Sequence, residues 1–251
     1  MSALAGKTAV VTGSSRGVGA ATAKLLAAEG ANVVINYRQK APRANKVVAE
    51  IEAAGGKAVA VGADLTDAEG VRTLMRTAVD TFGGLDLLVL NASGGMETDL
   101  GEDYAMRLNR DAQSDALTAG LEHLSTGGRV VFVTSHQAHF IDEVETMPEY
   151  EQVARSKRAG ETALTERIPE MREQGVSFVI VSGDMIEGTV TATLLNRARP
   201  GALEQRREAA GKLYSVEEFA AEVAKMATAD VETGHVELVG GAEDFLARTQ
   251  G

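Results

Sequence analysis

Three glycines, Gly13, Gly17 and Gly19, follow a short β-branched run at residues 8–12. They precede an Ala- and Leu-rich stretch at residues 18–28. Strand, glycine turn and helix in that order aim backbone N–H groups and a helix N-terminus at one point, which suits a phosphate. Glycine is needed where a Cβ would block the approach of a pyrophosphate. The spacing is T-G-x-x-x-G-x-G rather than the commoner G-x-G-x-x-G. Alone, such a turn also serves as a plain strand-to-helix connection, so the other polar residues must decide.

A scaffold has to position those residues, and apolar periodicity supplies one. Strands are expected at residues 8–12, 33–36, 58–61, 85–90, 129–134, 176–181 and 235–239. Between them lie helical patterns at 44–54, ended by Gly55-Gly56, and from a Thr66-x-x-Glu69 capping box to Gly83-Gly84. A long helix is expected at 103–124, closed by Gly127-Gly128, and another at 148–173 that Pro169 kinks or ends. Ser215-x-x-Glu218 caps a further helix. Alternating strands and helices predict an α/β fold: a doubly wound, parallel, seven-stranded sheet with right-handed crossovers. Residues 1–251 form a single domain in this reading.

Ligands in such sheets bind at the carboxyl ends of the strands. That rule selects residues 13–19, Arg38, Asp64, Asn91 to Gly94, Ser135 and residues 182–189. Residues 184–213 are the one long interruption, rich in Arg and Glu with Pro200-Gly201 in the middle. A segment of that length at the carboxyl edge is read as a lid or substrate loop, or else as a surface excursion.

The chain has 251 residues, a formal net charge of −11, 44% hydrophobic and 24% charged content, and no cysteine. An acidic surface argues against nucleic acid or an anionic membrane as partner. Disulfides and thiolate metal sites are excluded. Four histidines, His123, His136, His139 and His235, offer no evident third ligand, so no metal is expected. With neither a charged-then-apolar leader nor 18 consecutive apolar residues, the cytoplasm is the expected location.

With these motifs assembled, the chain resembles the short-chain dehydrogenase/reductases. Residues 12–19, TGSSRGVG, match that family's cofactor fingerprint, placing Gly13, Ser15, Arg16, Gly17, Val18 and Gly19 on the cofactor. Ala63, Asp64 and Leu65 match the adenine contacts, and Asn91, Ala92 and Ser93 match the N-A-G motif with one residue varied. Asn109 matches the helix asparagine, Ser135 the substrate serine, and Lys157 the catalytic lysine. The resemblance implies a Rossmann fold and hydride delivery from a nicotinamide to a carbonyl. It also implies roles: Ser135 on the carbonyl oxygen, Lys157 on the nicotinamide ribose, Asn109 on a water linked to Lys157, and Gly183 and Thr189 near the carboxamide. Family habit further implies a homotetramer or homodimer through the long helices.

Two positions depart from the pattern. The family's tyrosine, four residues before the lysine, is here Val153, and the Pro-Gly after the sixth strand is Ser182-Gly183. Residues i and i+4 share a helix face, so a tyrosine at 153 would stand beside Lys157, and valine donates nothing. Three readings follow. Tyr150, seven residues before Lys157 and about 4.5 Å upstream of position 153, substitutes as the proton donor. Alternatively, Ser135 with a lysine-held water or a substrate phenol does so. In the third, catalysis is lost and the chain only binds nucleotide.

Cofactor preference follows from charge. The stretch from residue 31 to 49, where an acidic residue would bind a ribose hydroxyl, holds no carboxylate. It carries Asn36, Tyr37 and Arg38 at the strand end, and Arg16 with Arg38 could clamp a 2′-phosphate. NADP(H) is therefore expected. The wording of residues 133–140, 150–161 and 181–189 is similar to reductases that tailor aromatic polyketides, in particular angucycline C-6 ketoreductases. That implies a polycyclic aromatic ketone as substrate. A 3-oxoacyl carrier-protein reductase is the alternative enzyme. His136 and His139 are read as backbone-bonded loop histidines or as borders of the substrate.

Overall fold

The β-branched run before the glycine turn forms β1 (Thr8–Val11), buried at every residue. In the computed structural model, which describes residues 2–96, 100–101 and 103–249, β1 pairs with β2 (Asn32–Tyr37) and β4 (Leu85–Leu90). Outward from there lie β3 (Lys57–Gly62), β5 (Leu124–Ser135), β6 (Ser177–Gly183) and β7 (His235–Val239). The order is β3-β2-β1-β4-β5-β6-β7, with every pairing parallel. The chain reverses direction across the sheet between β1 and β4, which opens a crevice at the carboxyl ends of these two strands.

Helices cover both faces. One face takes α1 (Gly17–Ala28), α2 (Ala41–Ala53) and α11 (Val216–Met226), which pack Leu26, Ile51 and Phe219 against Val33, Ile35 and Val89. The other takes α3 (Ala68–Phe82), α5 (Ala112–Leu121) and α7 (Glu151–Thr165), which bring Leu74, Leu117 and Leu164 to Val34, Leu88 and Phe178. Leu26, Leu74, Leu88 and Leu117 are fully buried, each contributing about 1.5–3 kcal/mol. A sheet covered on both sides explains the continuous apolar strands. Among the described residues, no helix is long and apolar enough to cross a membrane.

The departures from the expected elements are local. Ser215 and Glu218 form the expected capping box. Thr66 and Glu69 do not, because Thr66 turns back to Asp64, its backbone N–H donating at 3.0 Å and its hydroxyl at 2.8 Å. Asp67 caps α3 instead. The long helix is interrupted: after α4 (Tyr104–Met106) comes a π-helical turn, Arg107–Asp111, and only then α5. Gly127 and Gly128 lie inside β5 rather than at a helix end. The helix expected at 148–173 breaks into a 3₁₀ turn (Pro148–Tyr150), α7 and α8 (Ile168–Glu173), with Pro169 in the first turn of α8, where its missing N–H costs nothing. The interruption after β6 is a helical hairpin, α9 (Val190–Ala198) and α10 (Ala202–Ala210), rather than an irregular loop. A short α6 (His136–His139) follows β5, and α12 (Ala242–Thr249) follows β7.

Candidate active site

The glycine turn is built to stay open. A Cβ on Gly19 would lie 2.5 Å from Asn91 Nδ2 and 2.8 Å from the carbonyl oxygen of Gly13, so only glycine fits. Gly13 and Gly17 hold φ of 62° and 56°, the left-handed region that favours glycine. Asn36 braces the turn from β2: its Oδ1 accepts from the Gly13 N–H at 3.0 Å, and its Nδ2 donates to the Ala63 carbonyl at 3.1 Å. Asn91 does the same from β4, donating to the Thr12 carbonyl at 3.0 Å. No side chain caps the N-terminus of α1, so its N–H groups and the positive end of its dipole remain available to an anion.

This turn borders an open cleft. Every residue expected on the cofactor lines it except Lys157 and Gly183, which line the adjoining cavity: Gly13, Ser15, Arg16, Gly17, Val18, Gly19, Asn36, Tyr37, Arg38, Ala63, Asp64, Leu65, Asn91, Ala92, Ser93 and Thr189. Tyr104 and Leu108 also line the cleft and were not foreseen. Arg38 donates to the Tyr104 hydroxyl at 2.5 Å and lies 5.5 Å from its ring centroid, so an exposed guanidinium is already oriented. No sequence periodicity pairs residues 38 and 104; only the fold brings them together. The uncapped helix, the glycine-only turn and the two arginines fit a dinucleotide with an extra phosphate.

The adjoining cavity is lined by Ser135, Tyr150 and Lys157. The Tyr150 hydroxyl lies 3.5 Å from Ser135 Oγ, a spacing that lets one oxygen sit about 2.8 Å from both. The 3₁₀ turn ahead of α7 achieves this, because Tyr150 ends that turn with its side chain buried. Val153 is buried in an apolar cluster with Ala138, Ile141 and Tyr150 and lines no part of the cavity. Lys157 is only 9% exposed, and among the described residues no carboxylate pairs with it.

Asn109 stands back from both cavities. It sits in the π-helical turn, and its Nδ2 donates to the Gly94 carbonyl at 2.8 Å and to Ser156 Oγ at 2.9 Å, while its Oδ1 accepts from the Gly94 N–H. It is a strut between the loop after β4 and α7, one residue from Lys157. Gly160 packs against the Asn109 carbonyl so closely that a Cβ would collide with it.

His136 and His139 are structural. His136 is fully buried; its Nε2–H donates to the Gly240 carbonyl at 2.7 Å and its Nδ1 accepts from Ser182 at 2.8 Å. Ser182, standing where proline was expected, thus ties β6 to α6 and the turn after β7. Burial pushes the His136 imidazole down to about 4, from an ordinary 6.5. Between those values the unfolded chain takes up a proton that the folded chain refuses, so stability falls as pH drops from about 6.5 to 4, by about 3 kcal/mol in full. Urea unfolding at about pH 7 and about pH 4.5 should show that loss in the wild type and a smaller one in His136→Gln. His139 Nδ1 meets Glu161 Oε1 at 2.6 Å, which Arg158 also binds.

Ala192 and Leu195 of α9 line the cavity and cluster with Tyr150 and with Met185, which precedes the hairpin. Arg206 of α10 clasps it down. Its Nε lies 2.9 and 2.8 Å from the two oxygens of Asp184, and it reaches Asp244 of α12 at 2.6 Å and the Gly241 carbonyl at 3.1 Å. Burial pushes the Asp184 carboxyl up, and the Arg206 charge opposes it. Thr189 caps α9 by accepting from the Ala192 N–H. Gly183 faces Phe219 with no room for a Cβ.

Residues 7–199 match the family model for short chain dehydrogenases. The chain belongs to this family. It is 42% identical over 142 residues to the short chain dehydrogenase/reductase AacuN of Aspergillus aculeatus, covering 54% of each chain. It is 40% identical over 167 residues to a probable tetrahydroxynaphthalene reductase of Zymoseptoria tritici, covering 64% of this chain and 61% of that one. The alignments thus span between half and two thirds of these two relatives. A Burkholderia cenocepacia short chain dehydrogenase solved in complex with NADP superposes with a TM-score of 0.80 at 32% identity, over 96% of this chain and 99% of that one.

Proposed function

We propose that this short chain dehydrogenase is an NADPH-dependent ketoreductase whose proton donor is Tyr150. The observation that carries the proposal is the 3.5 Å between the Tyr150 hydroxyl and Ser135 Oγ, in a cavity that Lys157 also lines. Bound in the cleft, the reduced dinucleotide supplies the hydride. Ser135 and Tyr150 hold the carbonyl oxygen where negative charge develops. Tyr150 then gives that oxygen its proton. Lys157 holds the nicotinamide ribose, and its charge favours the phenolate left behind. Arg16 and Arg38, the latter held by Tyr104, grip the 2′-phosphate.

The substrate is read as a polycyclic aromatic ketone of polyketide origin, the finer assignment being the C-6 carbonyl of an angucycline. Two things support this: the apolar wall of Met185, Ile186 and Leu195, and a relative named for a tetrahydroxynaphthalene. The working unit is a homotetramer or homodimer in the cytoplasm.

Purified protein should oxidise NADPH in the presence of a polycyclic aromatic ketone, with kcat/KM at least about 10-fold higher for NADPH than for NADH, since a bidentate guanidinium–phosphate pair exceeds about 1.4 kcal/mol. Equal values for the two cofactors would overturn the phosphate reading. Binding of NADPH without turnover of any ketone would overturn the enzyme.

A further inference from the structure

Several polar groups around the cavity are used by the reaction or already engaged by the fold. Ser135, Tyr150 and Lys157 are used. Asp184 is consumed by Arg206 and by the Met185 N–H, which it accepts at 2.7 Å. Thr189 caps α9 and donates to the Ile186 carbonyl at 2.8 Å. Gln137 belongs to neither group. It lies two residues past Ser135, on α6, and lines the same cavity. Its Oε1 accepts from Thr146 Oγ1 at 2.5 Å, which fixes the side chain. Its Nε2 makes no hydrogen bond among the described residues.

An amide pinned at its oxygen, in a half-exposed side chain, leaves its Nε2–H to exchange solvent for an acceptor that arrives with the ligand. Gln137 and Ser135 line the same cavity, so the acceptor shares it with the carbonyl that Ser135 engages. Resting on the ketoreductase reading above, we infer that Gln137 determines specificity by donating its amide N–H to a second substrate oxygen, placed peri or β to the reducible carbonyl. The substrate class is then narrower than aromatic ketones at large: ketones with a hydroxyl or carbonyl oxygen on the same edge as the reacting group. A ketone lacking that oxygen leaves the donor unpaired, the arrangement by which a polar site rejects an analogue. Thr146 is a positioning residue, acting only through Gln137.

The test uses 1-tetralone and 8-hydroxy-1-tetralone, which differ by one hydroxyl beside the carbonyl, with NADPH and the full chain. The wild type should favour the hydroxy ketone by about 10-fold in kcat/KM, the discrimination expected of one partly exposed hydrogen bond. In Gln137→Leu that ratio should collapse to about one, and Thr146→Val should bring it part of the way, a selective change that mere loss of folded protein would not produce. A wild type that reduces both ketones without preference overturns the Gln137 inference and leaves the ketoreductase standing. So does a Gln137→Leu variant that keeps the preference or loses activity equally on both. A wild type that binds NADPH yet reduces neither overturns the ketoreductase and this inference with it.

Discussion

Tyr150→Phe is expected to lower kcat for ketone reduction about 10²-fold or more, the usual contribution of a positioned general acid. The substitution removes one oxygen and leaves the ring, so the apolar contacts of Tyr150 with Val153, Ala154 and Met185 survive. Any loss of rate therefore reports the hydroxyl rather than the fold. A donor one helical turn away from the family position would ordinarily be useless, since a displacement of that size ruins proton transfer. Here the 3₁₀ turn at Pro148–Tyr150 changes both the rise and the direction of the side chain, and the hydroxyl ends 3.5 Å from Ser135 Oγ. Steady-state kcat with a turned-over ketone is the measurement. A near-normal rate would remove Tyr150 and leave proton delivery to a water held by Lys157, or to a phenol on the substrate.

What the sequence made legible, and what it did not, divides along the same physical line. The glycine turn, the seven apolar strands and the carboxyl-end rule are local or periodic signals, and they located both the cleft and Ser135. Contacts between distant segments were out of reach. Nothing in the spacing pairs Arg38 with Tyr104, 66 residues apart, or Asn109 with Ser156. The latter bond braces the loop after β4 against α7. Thr66 is no cap because it folds into a turn with Asp64, two residues back, and Asp67 takes the N-cap, a local alternative that a four-residue motif does not encode. The helices of the hairpin after β6 were not legible because most of their Arg and Glu side chains are exposed and its anchors are distant: Arg206 reaches Asp184 and Asp244, and Arg207 reaches Glu187.

Lys157→Met should move activity and stability in opposite directions. Lys157 is 9% exposed, and among the described residues no carboxylate balances its charge. A nearly buried cation without a partner costs folding free energy, because its desolvation is not repaid. Methionine has nearly the same length and no charge, so the variant should unfold at a temperature higher by about 2–4 °C, corresponding to about 1 kcal/mol in a chain of this size. The same change removes the group that holds the nicotinamide ribose and favours the phenolate, so kcat/KM should fall about 10²- to 10³-fold, the scale of a lost electrostatic contact at a reacting oxygen. A lysine kept for packing predicts the reverse pairing, stability lost and rate spared. Thermal unfolding and steady-state kinetics on the same preparation separate the two. A variant both less stable and fully active would show that Lys157 serves the fold, and the assignment of the cavity as a reductase site would fall with it. A gain in melting temperature beside a crippled rate is what a residue retained for chemistry, against the interest of the fold, must show.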